Sequence, residues 1–475
     1  MFGLAALETN PSVPIASLIF LLLSSTHHAL SLLLRIPSKP LPGANQLFAE
    51  QPFNYAKDEW LEIVGKESVF QTAEMVVDHF LSPSKDKSKY PLRKIHTFNV
   101  QLNKEDADVD TTSRMFDPLF GPCNELYHNH EPTFSSNRKR VNLKLTVAYR
   151  GADFCGWEDQ RHHLYRKERE GNNISDQSHE LPSVQGTLVD VLDPILSNSI
   201  SRTKKQLAHN NTLTESKARP IEIKVAGRTD AGVSAIAQVC RIRTQRTDFL
   251  SHKADGFGGI ETFIKDLVNA HTEQLRLGLR ITDLNQVGDD FHPTFGASCR
   301  AYAYIIDFEG TDVPETKQPR RTHGLVAKLD AMLRSLEGQA LNYVAFSYGK
   351  VKTQTTICTL LRARACIVEY KLYGSKNSPD ELDPSVMRQA LCIELVGDRF
   401  LRRMVRILVA TALREAWIGS SVSEVADHVG QSESSLISSV QIKNVLLEIV
   451  KTRDRTNSAS PAPAQGLIFI GAGYT

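Results

Sequence analysis

The chain has 475 residues, 41% of them hydrophobic and 23% charged, with 27 Gly and 21 Pro. That composition excludes a fibre, a disulfide-stapled miniprotein and a wholly disordered chain, and the length provides for two or three domains with real cores. Lys and Arg total 56 against 54 Asp and Glu, but residues 1–138 carry 12 basic and 16 acidic residues, leaving 44 and 38 for 139–475. A mildly basic larger part permits a polyanionic partner without demanding one.

Residues 9–49 contain no Asp or Glu, while Arg35 and Lys39 give the stretch positive charge. The apolar run Ile15 to Leu23 inside it is too short for a stable membrane span. Missing acids and the later Leu-Leu-Leu-Arg run are similar to an organellar transit sequence, for a plastid or mitochondrion. Against that, Glu8 sits where a basic start is expected; the alternative is a start with no targeting role, leaving the chain in cytoplasm or nucleus. Residues 50–138 form a poorly defined extension. A helix fits 57–80, with Trp60, Leu61, Val64, Phe70, Val76 and Val77 as its apolar residues. Ser/Lys-rich 82–94 and the acidic stretch from Glu105 to Asp110 are expected to be solvated loop.

At 139 the pattern sharpens. Val141, Leu143, Leu145, Val147 and Tyr149 alternate with polar or small residues, as in a half-buried strand. Val184, Leu188, Val191, Leu192 and Ile195 keep helical spacing behind Pro182-Ser183. Residues 221–225 and the stretch around Cys240 and Ile242 are further strands. Tyr302, Tyr304 and Ile306 then alternate, 325–336 forms a helix, and strands fit 359–370 and 391–396. Over 401–416 the spacing predicts an amphipathic helix, with Leu401, Met404, Val405, Leu408 and Ala412 on one face. Arg399, Arg402, Arg403 and Arg406 fall roughly opposite. The expected fold is α+β, with two similar lobes at 139–307 and 308–475. Each is a mainly antiparallel sheet with helices on one face, and a cleft lies between them.

The seven cysteines are scattered, with no pair two or three apart, and the fifteen histidines are dispersed. Reduced thiols are expected, and no metal.

Between two predicted strands lies Gly227-Arg228-Thr229-Asp230-Ala231-Gly232-Val233-Ser234. The glycines allow a sharp turn that presents Asp230 beside Arg228 at a sheet end. An ionised Asp there suits nucleophilic or base chemistry. A plain Gly-rich hairpin with an Asp–Arg pair fits the same residues. A phosphate cradle does not, because the Lys-Ser/Thr that such loops place at their helix start is missing.

The stretch Gly227 to Ala235 resembles the catalytic signature of the TruA-type tRNA pseudouridine synthases, and other landmarks follow in the family's order. Tyr149-Arg150-Gly151 with Phe154, Gly156-Trp157 and Gln160 is similar to its opening strand and loop, and Ser183-Val184-Gln185-Gly186 to its first helix. Phe291-His292-Pro293-Thr294-Phe295, followed by Arg300, Tyr302 and Tyr304, resembles the segment bearing the active-site tyrosine. Phe400-Leu401 with Met404-Val405-Arg406 resembles its late helix, and Ala462 to Leu467 its closing strand. The resemblance covers about 139–475. It departs at Ser234, where many bacterial relatives have His, at Glu158, where Gln is usual, and at Ile407 and Ala410. A further departure is a longer charged insert around Arg161 to Glu180.

The resemblance implies a metal- and cofactor-free isomerase that detaches a uracil from its sugar, turns it and reattaches it through carbon. The substrate would be tRNA, with the 3′ side of the anticodon stem-loop (tRNA positions 38–40) as first guess. Asp230 would be the essential carboxylate, attacking sugar or base or removing a sugar proton. Tyr302 would stack on the target base and take part in moving its C5 proton; a core aromatic on a strand face fits Tyr302 equally. Arg406 would pair with Asp230, or be one member of a solvated basic face. Arg228, Arg300, Arg402 and Arg403 would hold the nucleotide and phosphates. Homodimerisation is implied as well. The rival is an RNA-binding module that kept the cleft and lost the chemistry.

Overall fold

A computed structural model describes residues 70–82, 92–95, 140–159, 181–197, 221–245, 259–307, 320–350, 353, 355–371, 387–427 and 444–474. The transit-like segment 1–49, the first part of the helix expected at 57–80, the acidic stretch after Glu105 and the insert from Arg161 to Glu180 lie outside these residues.

Ten strands form one sheet among the described residues. They are β1 (Leu92–Ile95), β2 (Val141–Tyr149), β3 (Glu222–Val225), β4 (Ser234–Thr244), β5 (Leu279–Val287), β6 (Ala297–Asp307), β7 (Ala340–Asn342), β8 (Ile357–Lys371), β9 (Met387–Gly397) and β10 (Leu467–Tyr474). Their order is β1-β8-β9-β6-β10-β4-β2-β5, with β3 paired to β4 and β7 to β8. Every pairing is antiparallel except one: β10 runs parallel to β4 through Ile468↔Ser234 and Phe469↔Ala235. That short seam joins β4, β2 and β5 to the strands on its other side. The architecture is α+β on a large, mostly antiparallel sheet.

Alternation along the strands sorts side chains into two layers. Leu145, Val147, Tyr302, Tyr304, Ile393 and Phe469 face the larger core. Helices α2 (Val184–Leu196), α3 (Ile260–Gln274), α4 (Arg320–Arg334), α5 (Met404–Asp427) and α6 (444–452) contribute to the same core. The start of α2 follows its sequence: the Ser183 hydroxyl accepts from the Gly186 backbone N–H at 3.0 Å, and Val184, Leu188, Leu192 and Leu196 are buried at four-residue spacing.

The opposite layer changes the expected picture, in which helices cover one face only. Helix α1 (Gln71–Leu81) lies there, and its Ala73, Val76 and Val77 pack with Ala301, Ala303, Ile305, Ile468 and Ile470. Alanines on β6 let the helix approach closely. Asp307, at the end of β6, accepts from the Thr72 backbone N–H at 2.9 Å and from the Thr72 hydroxyl, which fixes the first turn. Arg150 and Asp78 also pair at 2.6 Å, but both are well exposed, so the pair contributes at most about 1 kcal/mol. Burying each valine contributes roughly 1.5–3 kcal/mol and dominates the docking. The extension thus supplies part of the fold, including β1, where solvated loop was expected at 82–94.

Two further differences have physical reasons. Helix α5 begins at Met404, so Arg399, Arg402 and Arg403 precede it and form no basic helical face. From Met404 to Ala416 nearly every side chain is buried, because α5 is enclosed by the sheet, α4 and the segment around Tyr343. Helix α3 and strand β5 are additions to the expected elements: Ile264 and Val268 pack in the larger core with Leu279 and Ile281, and Asn269 accepts from the Ile281 N–H at 2.7 Å and donates to the Ile281 carbonyl at 3.1 Å.

Val76→Asp places an unpaired carboxylate in the α1 interface. It is expected to lower unfolding stability by about 3 kcal/mol and to open α1 to protease in native buffer. An unchanged denaturation midpoint would mean that α1 is not docked on the sheet.

Candidate active site

The loop from Ala226 to Val233 joins β3 to β4, and buried polar groups set its shape. The Thr229 and Tyr149 hydroxyls share a hydrogen bond at 2.7 Å, and the Thr229 carbonyl accepts from the Trp157 N–H at 3.2 Å. Gln238 donates to the Gly227 carbonyl at 2.7 Å and to the Tyr149 hydroxyl at 3.4 Å. The turn closes with the Val233 N–H donating to the Asp230 carbonyl at 3.2 Å. Gly232 sits at φ +79, in the left-handed region that disfavours a side chain. Gly151 packs onto it so closely that a Cβ would lie 2.4 Å from Gly232 backbone atoms. Ser234, one of the departures from the bacterial pattern, accepts from the Gly151 N–H at 2.9 Å and so ties the two segments together.

Asp230 projects from this turn with its side chain 34% exposed. Two guanidiniums approach the same carboxylate oxygen: Arg406 Nη1 at 3.3 Å and Arg403 Nε at 3.5 Å from Oδ2. Oδ1 has no partner among the described residues. Arg406 is aimed by the backbone, since its Nε donates to the Ala462 carbonyl at 2.6 Å while the Ala462 N–H donates to the Arg406 carbonyl at 3.1 Å. Burial lowers the Arg406 pKa; Asp230 opposes that effect and Arg403 adds to it. Arg406 is therefore an inward, paired residue and not part of a solvated face.

Arg403 was expected on phosphates, but its Nε sits against Asp230. Its backbone is left-handed at φ +57, a conformation that costs a non-Gly residue about 1–2 kcal/mol. Its guanidinium lies 4.2 Å from the Tyr348 ring centroid, and that of Arg402 lies 5.5 Å from the same ring. The Tyr348 N–H also donates to the Arg402 carbonyl at 3.1 Å. Tyr348 carries no motif signal; an isolated Ser-Tyr-Gly at the end of a helical turn gave nothing to notice.

Tyr302 on β6 is edge-to-face with Phe400 and Phe469, both at 5.1 Å, and is only 9% exposed. Burial pushes its phenol up to about 12; Arg300 opposes this and Asp230 adds to it. At neutral pH the phenol is protonated, so it is a hydrogen-bond donor and not a resting base. The Arg300 guanidinium is occupied by backbone: it donates to the carbonyls of Ala226 at 3.0 Å, Asp398 at 2.9 Å and Thr294. In this arrangement it buttresses the loop. Arg228 is 69% exposed and pairs with Glu158 at 2.9 Å.

The fold therefore gathers Asp230, Arg406, Arg403 and Tyr302, with Arg300 behind them and Arg228 and Arg402 at the margin. A partly exposed carboxylate with one unengaged oxygen, steered by two cations, can attack an electrophile or accept a proton. Its cationic surroundings disfavour a metal ion, and no group of three His, Cys, Asp or Glu able to hold one occurs among the described residues. No described helix is long and apolar enough to cross a membrane.

No family model matches the chain. Curated relatives do. The chain is 29% identical over 335 residues to a protein of Chloroflexus aurantiacus named tRNA pseudouridine synthase A, covering 70% of this chain and 88% of that one. Proteins of the same name from Francisella philomiragia and Nitratidesulfovibrio vulgaris are 24% and 25% identical, again over 70% of this chain and 94% and 97% of theirs.

Gly232→Ala forces a side chain into the left-handed turn, where its Cβ would also lie 3.0 Å from that of Ala464. A stability loss of about 1–2 kcal/mol is expected in chemical denaturation. No loss would show that the turn does not hold this backbone.

Proposed function

We propose that this chain, which belongs to the TruA-type family of tRNA pseudouridine synthases, isomerises uridine to pseudouridine in tRNA. One observation carries the reading: the Asp230 carboxylate, held by Arg406 and Arg403 beside the Tyr302 hydroxyl face of β6. The N1–C1′ glycosidic bond breaks, the uracil turns, a C5–C1′ bond forms, and the C5 proton leaves to solvent while N1 gains one. Atoms balance within the nucleotide, so no co-substrate is needed.

In this reading Asp230 supplies the reacting carboxylate oxygen, and the two guanidiniums direct it. Tyr302 supplies an aromatic surface and a hydroxyl donor. Arg228, once released from Glu158, is free to meet the nucleotide's phosphate. A paired uridine must leave its stack to reach the site, at a cost of a few kcal/mol that these contacts offset. The seam between β10 and β4 divides the strands into two sets, which supports two lobes with tRNA crossing between them. The family resemblance supports uridines on the 3′ side of the anticodon stem-loop.

The test uses the full chain, because α1 is part of the fold, and tRNA tritiated at uridine C5. Wild type is expected to release tritium to water. Asp230→Ala should lower the rate at least about 1,000-fold while still retaining tRNA on a filter. Binding without release by the wild type would favour the inactive RNA-binding module, and full turnover by Asp230→Ala would remove Asp230 from the mechanism.

A further inference from the structure

At 86%, Phe295 is the most exposed large apolar side chain among the described residues. The backbone around it is fastened on several sides. The Thr294 hydroxyl donates to the Val225 carbonyl at 2.6 Å, and Tyr474 donates to the Pro293 carbonyl at 2.9 Å. Arg241 donates to the Phe291 carbonyl at 2.7 Å, and Arg300 holds the Thr294 carbonyl. The Phe295 ring rests on the His292 ring, with centroids 4.5 Å apart and planes tilted by 35°.

His292 is itself locked. Its Nδ1 accepts from the Thr294 and Phe295 N–H groups at 3.2 and 3.1 Å. Burial lowers its pKa, and the nearby charges of Arg241, Lys224 and Arg243 lower it further against the opposing Glu222. The ring is therefore neutral at pH 7 and carries its proton on Nε2 as a donor. A rigid aromatic face, an N–H donor and a cationic surrounding together form a stacking platform for a nucleobase with its phosphate.

Arg300 places this platform relative to the active site. The same guanidinium holds the carbonyl of Ala226, immediately before Gly227 of the Asp230 loop, and that of Thr294, immediately before Phe295. The two segments therefore lie side by side, and Asp230 is three residues past Gly227. We infer that Phe295, backed by His292, stacks on an unpaired nucleobase of tRNA neighbouring the target uridine and holds the strand in place while the uridine enters the Asp230 site. This contact rests on the proposed tRNA substrate but uses residues outside the chemistry.

The experiment measures tRNA retention and tritium release side by side for the full chain and for Phe295→Ala, Phe295→Leu and Phe295→Trp. Loss of one stacked base is expected to weaken tRNA retention about tenfold, with a matching rise in KM. Phe295→Leu, apolar but without a π face, should resemble Phe295→Ala, while Phe295→Trp should restore binding, its indole emission quenched when tRNA is added. Because the side chain is exposed, the unfolding midpoint should stay at the wild-type value in all three. Equal retention by wild type and Phe295→Ala, or rescue by Leu as full as by Trp, would overturn the stacking role. If the wild type binds tRNA but releases no tritium, the reaction assignment fails, while weakened retention by Phe295→Ala would still support the contact.

Discussion

Two parallel residue pairs, Ile468 with Ser234 and Phe469 with Ala235, determine where the site lies. Parallel strands begin at the same end of a sheet. The loops that precede β4 and β10 are therefore neighbours, although more than two hundred residues separate them. One loop carries Asp230; the other carries Ala462, whose carbonyl aims Arg406, and Ala464, which abuts Gly232. Had β10 paired antiparallel with β4, the carboxylate and its buttress would stand at opposite ends.

The next strand continues the arrangement. β6 runs antiparallel to β10 with Tyr302 opposite Phe469, so Tyr302 lies one strand away from the seam on the larger core's side. Tyr304, two residues on, donates to the Pro463 carbonyl at 3.0 Å and so supports the segment that supports Arg406. Phe70, just before α1, packs edge-on against Tyr304 at 6.3 Å. A continuous run of contacts thus links the N-terminal extension to the Asp230 carboxylate, which gives a physical reason for α1 to be more than a tether.

Much of this was legible in the residues. Strand alternation at 141–149 and 302–306, the Ser183 helix start and the turn chemistry of Gly227 to Ser234 are local properties, and local properties leave local patterns. Arg406 was identifiable through the family motif. What stayed hidden depends on partners distant in sequence. Two register pairs leave no periodicity, so the seam could not be anticipated. The arginines before α5 carried helical spacing, yet the backbone turns at Arg403 and sends its guanidinium to Asp230 instead of phosphate. Tyr348 matters only because Arg402 and Arg403 fold over it. The family resemblance implies a substrate ligand at Arg300, whereas its three carbonyl partners make it a brace.

In the proposed reaction the Asp230 carboxylate itself, and not merely the loop that bears it, carries out the isomerisation. The most direct measurement is chromatographic nucleoside analysis of tRNA after incubation with wild type and with Asp230→Asn, which keeps the side-chain shape while removing its charge. Pseudouridine is expected to accumulate at the expense of uridine with wild type and to stay at background with Asp230→Asn, at equal tRNA retention and equal unfolding midpoint. Pseudouridine formed by Asp230→Asn at the wild-type rate would contradict that role of the carboxylate.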